Sequence, residues 1–171
     1  MQKDIKIKGK IWIIIDKNNN LINDIDTDMI FHNRYLAITD INEMGKYTFD
    51  NLNGWKDFAQ KAGQGDIVIT GKNFGAGSSR QQAVDCFRSL GIQAILSESF
   101  GAIYKRNAIN SGLPILKIKK IDLNELHQRE LLEIDIKDGS TSSECLEIEP
   151  FPKVQMDIYQ AGNLFEFGKQ I

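Results

Sequence analysis

Gly71-Lys72-Asn73-Phe74-Gly75-Ala76-Gly77-Ser78-Ser79-Arg80-Gln81 is the segment of this chain that gathers groups able to do chemistry. Two hydroxyls and a guanidinium follow Gly75 and Gly77, where the missing Cβ lets backbone come close to a ligand. The fork of Arg80 suits a carboxylate. A helix opening here would add unpaired N–H groups and a positive dipole end. A serine can also act as a base, but only where positive charge and enclosure stabilise its alkoxide. The same residues equally suit a plain helix cap and a surface ion pair, and Ser78-x-x-Gln81 has the spacing of a capping box. Two nucleotide readings fail on named residues. A P-loop starting at Gly71 needs glycine at Ala76 and lysine at Gly77, and a dinucleotide fingerprint starting at Gly75 meets Arg80 where its third glycine belongs.

The elements around this turn are predicted as strand 67–70, helix 79–89, strand 92–96, helix 100–110 and strand 115–118, a β-α-β-α-β unit. Its crossovers are expected to be right-handed and its strands parallel. The turn then lies at the carboxyl edge of the sheet, where α/β folds place ligands. Gly91 ends the first helix, and Gly112 with Pro114 ends the second. Upstream, Lys6 to Ile15 alternates and then becomes continuously apolar, a strand that becomes buried on both faces, and Asp16 to Asn20 reads as a turn. Asp40 to Ala62 is predicted helical in pieces. Downstream, Leu131–Ile136 and Cys145–Glu149 around Asp138-Gly139 are predicted to form a β-hairpin. A last helix over 154–167 is interrupted near Gly162, with Tyr159, Leu164, Phe165 and Phe167 expected to pack in the core. The expected organisation is one continuous α/β domain over residues 1–171.

A net charge of −2 with scattered lysines offers no basic stripe for nucleic acid. No apolar run approaches the ~20 residues of a membrane span. Met1-Gln2-Lys3-Asp4 leads into a strand pattern without a signal-like apolar region, so the cytoplasm is the expected location. Cys86 and Cys145 form no Cys-x-x-Cys pair and cannot alone ligate an iron–sulfur cluster or a closed zinc site. Cys86, among Ala83, Val84, Phe87 and Leu90, is expected to be a buried, inert thiol. Asp26 and Asp28 suit turn and capping roles better than a metal site, and no metal site is expected. His32 reads as a loop residue and His127 as solvated.

Gly71 to Ala83, Ser99-Phe100, Lys105-Arg106-Asn107-Ala108-Ile109-Asn110 and Gly112-Leu113-Pro114 together resemble the small subunit of 3-isopropylmalate dehydratase, the swivelling fourth domain of the aconitase superfamily. Asp26-Thr27-Asp28, Tyr35-Leu36 and the closing segment from Pro150 to Gly168 are similar to further elements of that family. The resemblance covers nearly the whole chain. It implies a swivelling β/β/α fold with extra strands closing a barrel-like sheet around the central unit. It implies Ser78 as the base that takes a proton beside a carboxylate, with Ser79, Arg80 and Thr27 on the substrate and Gly75, Gly77, Asp28, Arg106 and Asn107 in support. It also implies a large-subunit partner carrying a 4Fe-4S cluster, with no cofactor bound by this chain, and an alkylmalate dicarboxylate as substrate. Ala37 and Ile38, after Tyr35-Leu36, suit an alkyl substituent, where homoaconitase-type relatives tend to carry arginine.

The sequence departs from the family pattern at Ala76, where cysteine is common, and at Gln81-Gln82, where Glu-His is frequent. His32 stands where proline is frequent. Citramalate, dimethylmalate and homoaconitase-type substrates stay open, as do a stand-alone anion-binding module and self-association of the isolated chain.

Overall fold

A computed structural model describes residues 1–171. In chain order its main elements are β1 (Lys6–Ile13), α1 (Thr27–Ile30), α2 (Ile41–Met44), α3 (Phe58–Lys61), β2 (Ile67–Thr70), α4 (Gln82–Leu90), β3 (Ala94–Ser97), α5 (Ala102–Asn110), β4 (Ile115–Ile121), β5 (Leu131–Asp135), β6 (Leu146–Ile148), α6 (Lys153–Ala161) and α7 (Leu164–Gly168). Short 3-10 turns occupy Asn33–Tyr35 and Gly45–Tyr47. One six-stranded sheet runs in the order β5-β1-β2-β3-β4-β6, parallel through β1 to β4 and antiparallel at both ends.

The alternation of strand residues builds two cores, because successive side chains leave a strand on opposite faces. Trp12, Ile14, Val68 and Ile95 face a core shared with α4, α5 and the loops before β2. Ile11, Ile13, Ile67, Ile69, Ala94 and Leu96 face the other core, lined by β5, β6 and Phe151. The sheet curls round this second core into a half-barrel. Its two edges approach where Thr141 bridges Ile134 and its hydroxyl donates to Leu146 O at 2.9 Å. The front half of β1 alternates and pairs with β5, setting Lys6 opposite Asp135 and Lys8 opposite Glu133. Its back half is apolar throughout and pairs with β2.

The central β-α-β-α-β unit forms as expected, and Gly91, at φ 81°, ends α4 in the left-handed conformation. The expected hairpin does not form. β5 and β6 lie at opposite ends of the sheet, on β1 and β4. Their alternation reports which side chains face inward and is blind to the partner strand, and the two open edges of the parallel sheet supply that partner. α6 and α7 break at Gly162-Asn163 as predicted, with Asn163 Oδ1 capping Glu166 N at 2.8 Å. Leu164 and Phe165, expected in the core, are exposed instead, and Lys169 Nζ stands 4.5 Å from the Phe165 ring centre.

Candidate active site

Phe74 fixes the glycine turn. Its ring is 1% exposed and packs edge-on against Phe49, Phe100 and Tyr104. Its backbone runs beside the loop after β3, donating to Ser99 O at 2.9 Å and accepting from Gly101 N at 2.9 Å. On the other side Gly75 N donates to Ile25 O at 2.7 Å, and Thr27 N to Ala76 O at 2.9 Å. Three loops are thus laced together at the carboxyl edge of the sheet. Gly75 has φ 79°, and a Cβ there would lie 2.2 Å from Tyr104 Cγ, so only glycine lets the turn seat on that ring.

Beyond this anchor Gly77, Ser78 and Ser79 are exposed. The buried Thr27 donates its hydroxyl proton to Ser78 O at 3.0 Å. That tether holds residues 77–80 outside the helix, which starts at Gln82, three residues later than predicted. The expected capping box is therefore absent: neither serine caps α4, and Gln81 Nε2 donates instead to Asp85 Oδ1 and Ser111 Oγ. The Ser78 hydroxyl is left without a partner in the chain, while Ser79 Oγ accepts from Asn107 Nδ2 at 3.3 Å. Arg106, the preceding residue on α5, is exposed.

Arg80 is a tie before it is a clamp. Its side chain is 10% exposed, and Nη1 donates to Phe31 O at 2.6 Å, to Asp28 Oδ1 at 3.2 Å and to Thr27 O at 3.3 Å. Nε and Nη2 keep no partner within the chain, which leaves one edge of the fork for a ligand. Asp28 also accepts from Asn33 N at 2.8 Å and Asn51 Nδ2 at 3.4 Å, with His32 Nε2 at 4.0 Å. Desolvation raises its pKa, but the Asn33 amide, Arg80 and His32 outweigh it and hold the carboxyl below its usual range. Asp26 Oδ1 caps α1 through Met29 N at 2.8 Å, the capping role expected of it.

The loop after α1 lies against the same turn. His32 Nδ1 accepts from Arg34 N at 3.1 Å, and Gln82 Nε2 donates to Leu36 O at 3.2 Å. Of the two residues expected to meet an alkyl group, Ala37 is exposed and Ile38 is half-buried, packed on the helix-covered core. The sequence reading missed Asn51 and its neighbour Asp50, on which Tyr35 rests. The run Asp50-Asn51-Leu52-Asn53-Gly54 was legible only as a break between helices. The turn itself is an open ridge. A cleft of about 1160 Å³ adjoins the Asp28 loop at Met29 and Asn51 but does not include Ser78, Ser79 or Arg80.

The cysteines do not make a ligand set for an iron–sulfur cluster. Cys86 is fully buried on the core-facing side of α4, and desolvation pushes its thiol up to about 12. Cys145 borders the opposite core, before β6.

Residues 2–121 match the aconitase C-terminal domain family. The chain is 38% identical over 167 residues to 3-isopropylmalate dehydratase small subunit 1 of Archaeoglobus fulgidus, covering 95% of this chain and 97% of that protein. It is 35% identical over 168 residues to the isopropylmalate/citramalate isomerase small subunit of Methanocaldococcus jannaschii, covering 96% and 94%. The crystal structure of 3-isopropylmalate dehydratase from the same organism superposes with a TM-score of 0.81 at 31% identity, over 96% of this chain and 94% of that one. With its swivel-type half-barrel and its glycine turn at the carboxyl edge, the chain belongs to the 3-isopropylmalate dehydratase small subunits of the aconitase superfamily.

Proposed function

We propose that this chain, acting as a single domain, is the small subunit of a hydro-lyase that interconverts 2-isopropylmalate and 3-isopropylmalate in leucine biosynthesis, in the cytoplasm. The observation that carries this reading is the exposed, unpartnered hydroxyl of Ser78, held at the sheet edge by Thr27 and followed by a half-engaged Arg80. Ser78, as alkoxide, takes the proton from the carbon beside a carboxylate. The C–H electron pair becomes the new C=C bond, the neighbouring C–O bond breaks with its electron pair on oxygen, and the departing hydroxide takes a second proton from an acid on the large subunit to leave as water, a proton that water gives back to that acid when it re-adds. Water then re-adds in the opposite sense, and the serine returns the proton. The free edge of Arg80, with the Ser79 hydroxyl, holds a substrate carboxylate in line with the base.

Arg80 is already paired with Asp28, so it is a poor sole counter-charge for an alkoxide. Further positive charge and the enclosure come from a large subunit closing over the ridge. A 4Fe-4S cluster held by that partner supplies Lewis acidity toward the substrate's hydroxyl.

A second activity, on citramalate, is favoured by the exposed Ala37, which places no bulk requirement on the alkyl group, and by the name of the Methanocaldococcus relative. Anaerobic reconstitution with the large subunit, assayed on isopropylmalate, citramalate, dimethylmalate, homocitrate and citrate, tests both readings. Turnover of the alkylmalates alone is the expected result, and preference for a tricarboxylate overturns it.

A further inference from the structure

Asp50 makes a contact whose form is hard to explain by stability alone. Its Oδ2 accepts a hydrogen bond from the Tyr35 hydroxyl and pairs with Arg34 Nη2 at 3.5 Å. Its Oδ1 is buried and has no partner, which is an uncompensated desolvation cost. A ring packed here for stability alone is better served by phenylalanine over an apolar neighbour. The backbone that presents Asp50 is also strained. Phe49 has φ 63°, unusual for a bulky side chain, and is locked there by its N–H to Ile30 O at 2.9 Å and by burial against Phe58, Phe74 and Phe87.

From Asp50 a rigid path leads to the site. The Tyr35 ring stacks on Tyr47 at 4.0 Å, carries the Arg34 guanidinium 4.8 Å from its centre, and meets Phe31 and His32 edge-on. Tyr35 O accepts from Ile38 N at 2.9 Å, and Leu36 O accepts from Gln82, two residues beyond Arg80. The segment 36–38 is therefore pinned between Tyr35 on one side and the start of α4, just after the glycine turn, on the other. The hydrogen bond to the Asp50 carboxylate, aided by desolvation, raises the Tyr35 pKa, so the phenol is the donor in this pair.

We propose that Asp50 is a positioning residue for substrate discrimination: by holding Tyr35 and Arg34 it fixes residues 36–38 as one wall beside the Ser78–Arg80 turn, the wall that a branched alkyl group meets. This rests on the dehydratase reading above. The wall matters for an isopropyl group and little for a methyl group, which does not fill the same space.

The test uses the enzyme reconstituted with its large subunit and compares 2-isopropylmalate with citramalate. In Asp50→Ala, KM for isopropylmalate rises about tenfold with kcat nearly kept, while citramalate changes little. Tyr35→Phe gives the same selective change, the double variant is no worse than either single one, and Asp50→Asn, which keeps an acceptor for the phenol, restores most of the preference. Equal losses on both substrates, or additive effects, overturn the proposal. Hydrogen exchange on the free subunit decides the point independently. The amides of Tyr35, Leu36 and Ile38 are expected to exchange about tenfold faster in Asp50→Ala and Tyr35→Phe while β2 and β3 are unchanged, and unaltered exchange overturns the proposal. If the unmodified enzyme turns over no alkylmalate, the dehydratase reading fails, and the exchange result still decides whether Asp50 holds the loop.

Discussion

Residues 71–81 and 136–145 are both loops that combine glycine with hydroxyl side chains, yet their hydrogen bonds span different distances along the chain. In the second, Asp135 Oδ1 accepts from Lys137 N and Asp138 N, Asp138 Oδ1 from Ser140 N, Thr141 Oγ1 from Ser143 N and Ser143 Oγ from Cys145 N. All five close on a residue two or three positions away, and they shape a turn. In the first, the partners include Thr27, Asp28, Phe31, Ser99 and Asn107, from three other segments. The same residue types close a local bend in one place and assemble a site in the other. The first loop is anchored by the buried Phe74, against which distant segments are laced.

That contrast can be broken or sharpened by substitution. Ser78→Ala removes the one unpartnered hydroxyl at the turn. Its kcat in the reconstituted enzyme is expected to fall about 10²–10⁴-fold, with assembly and thermal midpoint unchanged; retained turnover would remove Ser78 as the base. Gly75→Val drives a side chain into Tyr104, and urea denaturation is expected to show a loss of about 3 kcal/mol.

Asp28→Asn probes the tie to Arg80. The Asp28 carboxyl has a lowered native pKa, so its stabilisation is present above the unfolded value of about 3.9 and is lost as pH falls through the lowered native value. The variant is therefore less stable than the parent at neutral pH, and the two converge in acid; a gap that persists at the lowest pH would place the stabilisation elsewhere. Ser142→Ala, in the local loop, gives up only the bond its Oγ accepts from Glu133 N. The expected cost is below about 1 kcal/mol, with activity untouched.

The two loops also mark how far the sequence could be read. The central β-α-β-α-β unit was legible from its strand and helix patterns, and Gly91, Pro114 and the break at Gly162-Asn163 marked where helices stop, whereas the split into two cores on the two faces of the sheet was not legible. The glycine turn was legible from its own residues as a strand-to-helix turn at the carboxyl edge of the sheet. Its capping box was misread because the residue that denies Ser78 a place in the helix, Thr27, lies 51 positions earlier. The hairpin was misread for a related reason: partner strands are chosen by open sheet edges that no local pattern reveals. Asp50 carries no local signature, because its meaning depends on Tyr35 and on a backbone twist at Phe49.

The order of strands has a consequence for how the chain is made. The four parallel strands are complete by Ile121, but the bare edge of β1 waits for residues 131–135 and that of β4 for residues 146–148. A chain growing from its amino end thus carries a parallel sheet with two open flanks until residues 131–148 are made. The pairing of Lys6 with Asp135 joins residues far apart in the chain, a slow closure that loop entropy delays. In that interval the nascent protein is most prone to stick to its own copies, so the carboxyl-terminal strands act as guards of solubility as well as parts of the barrel.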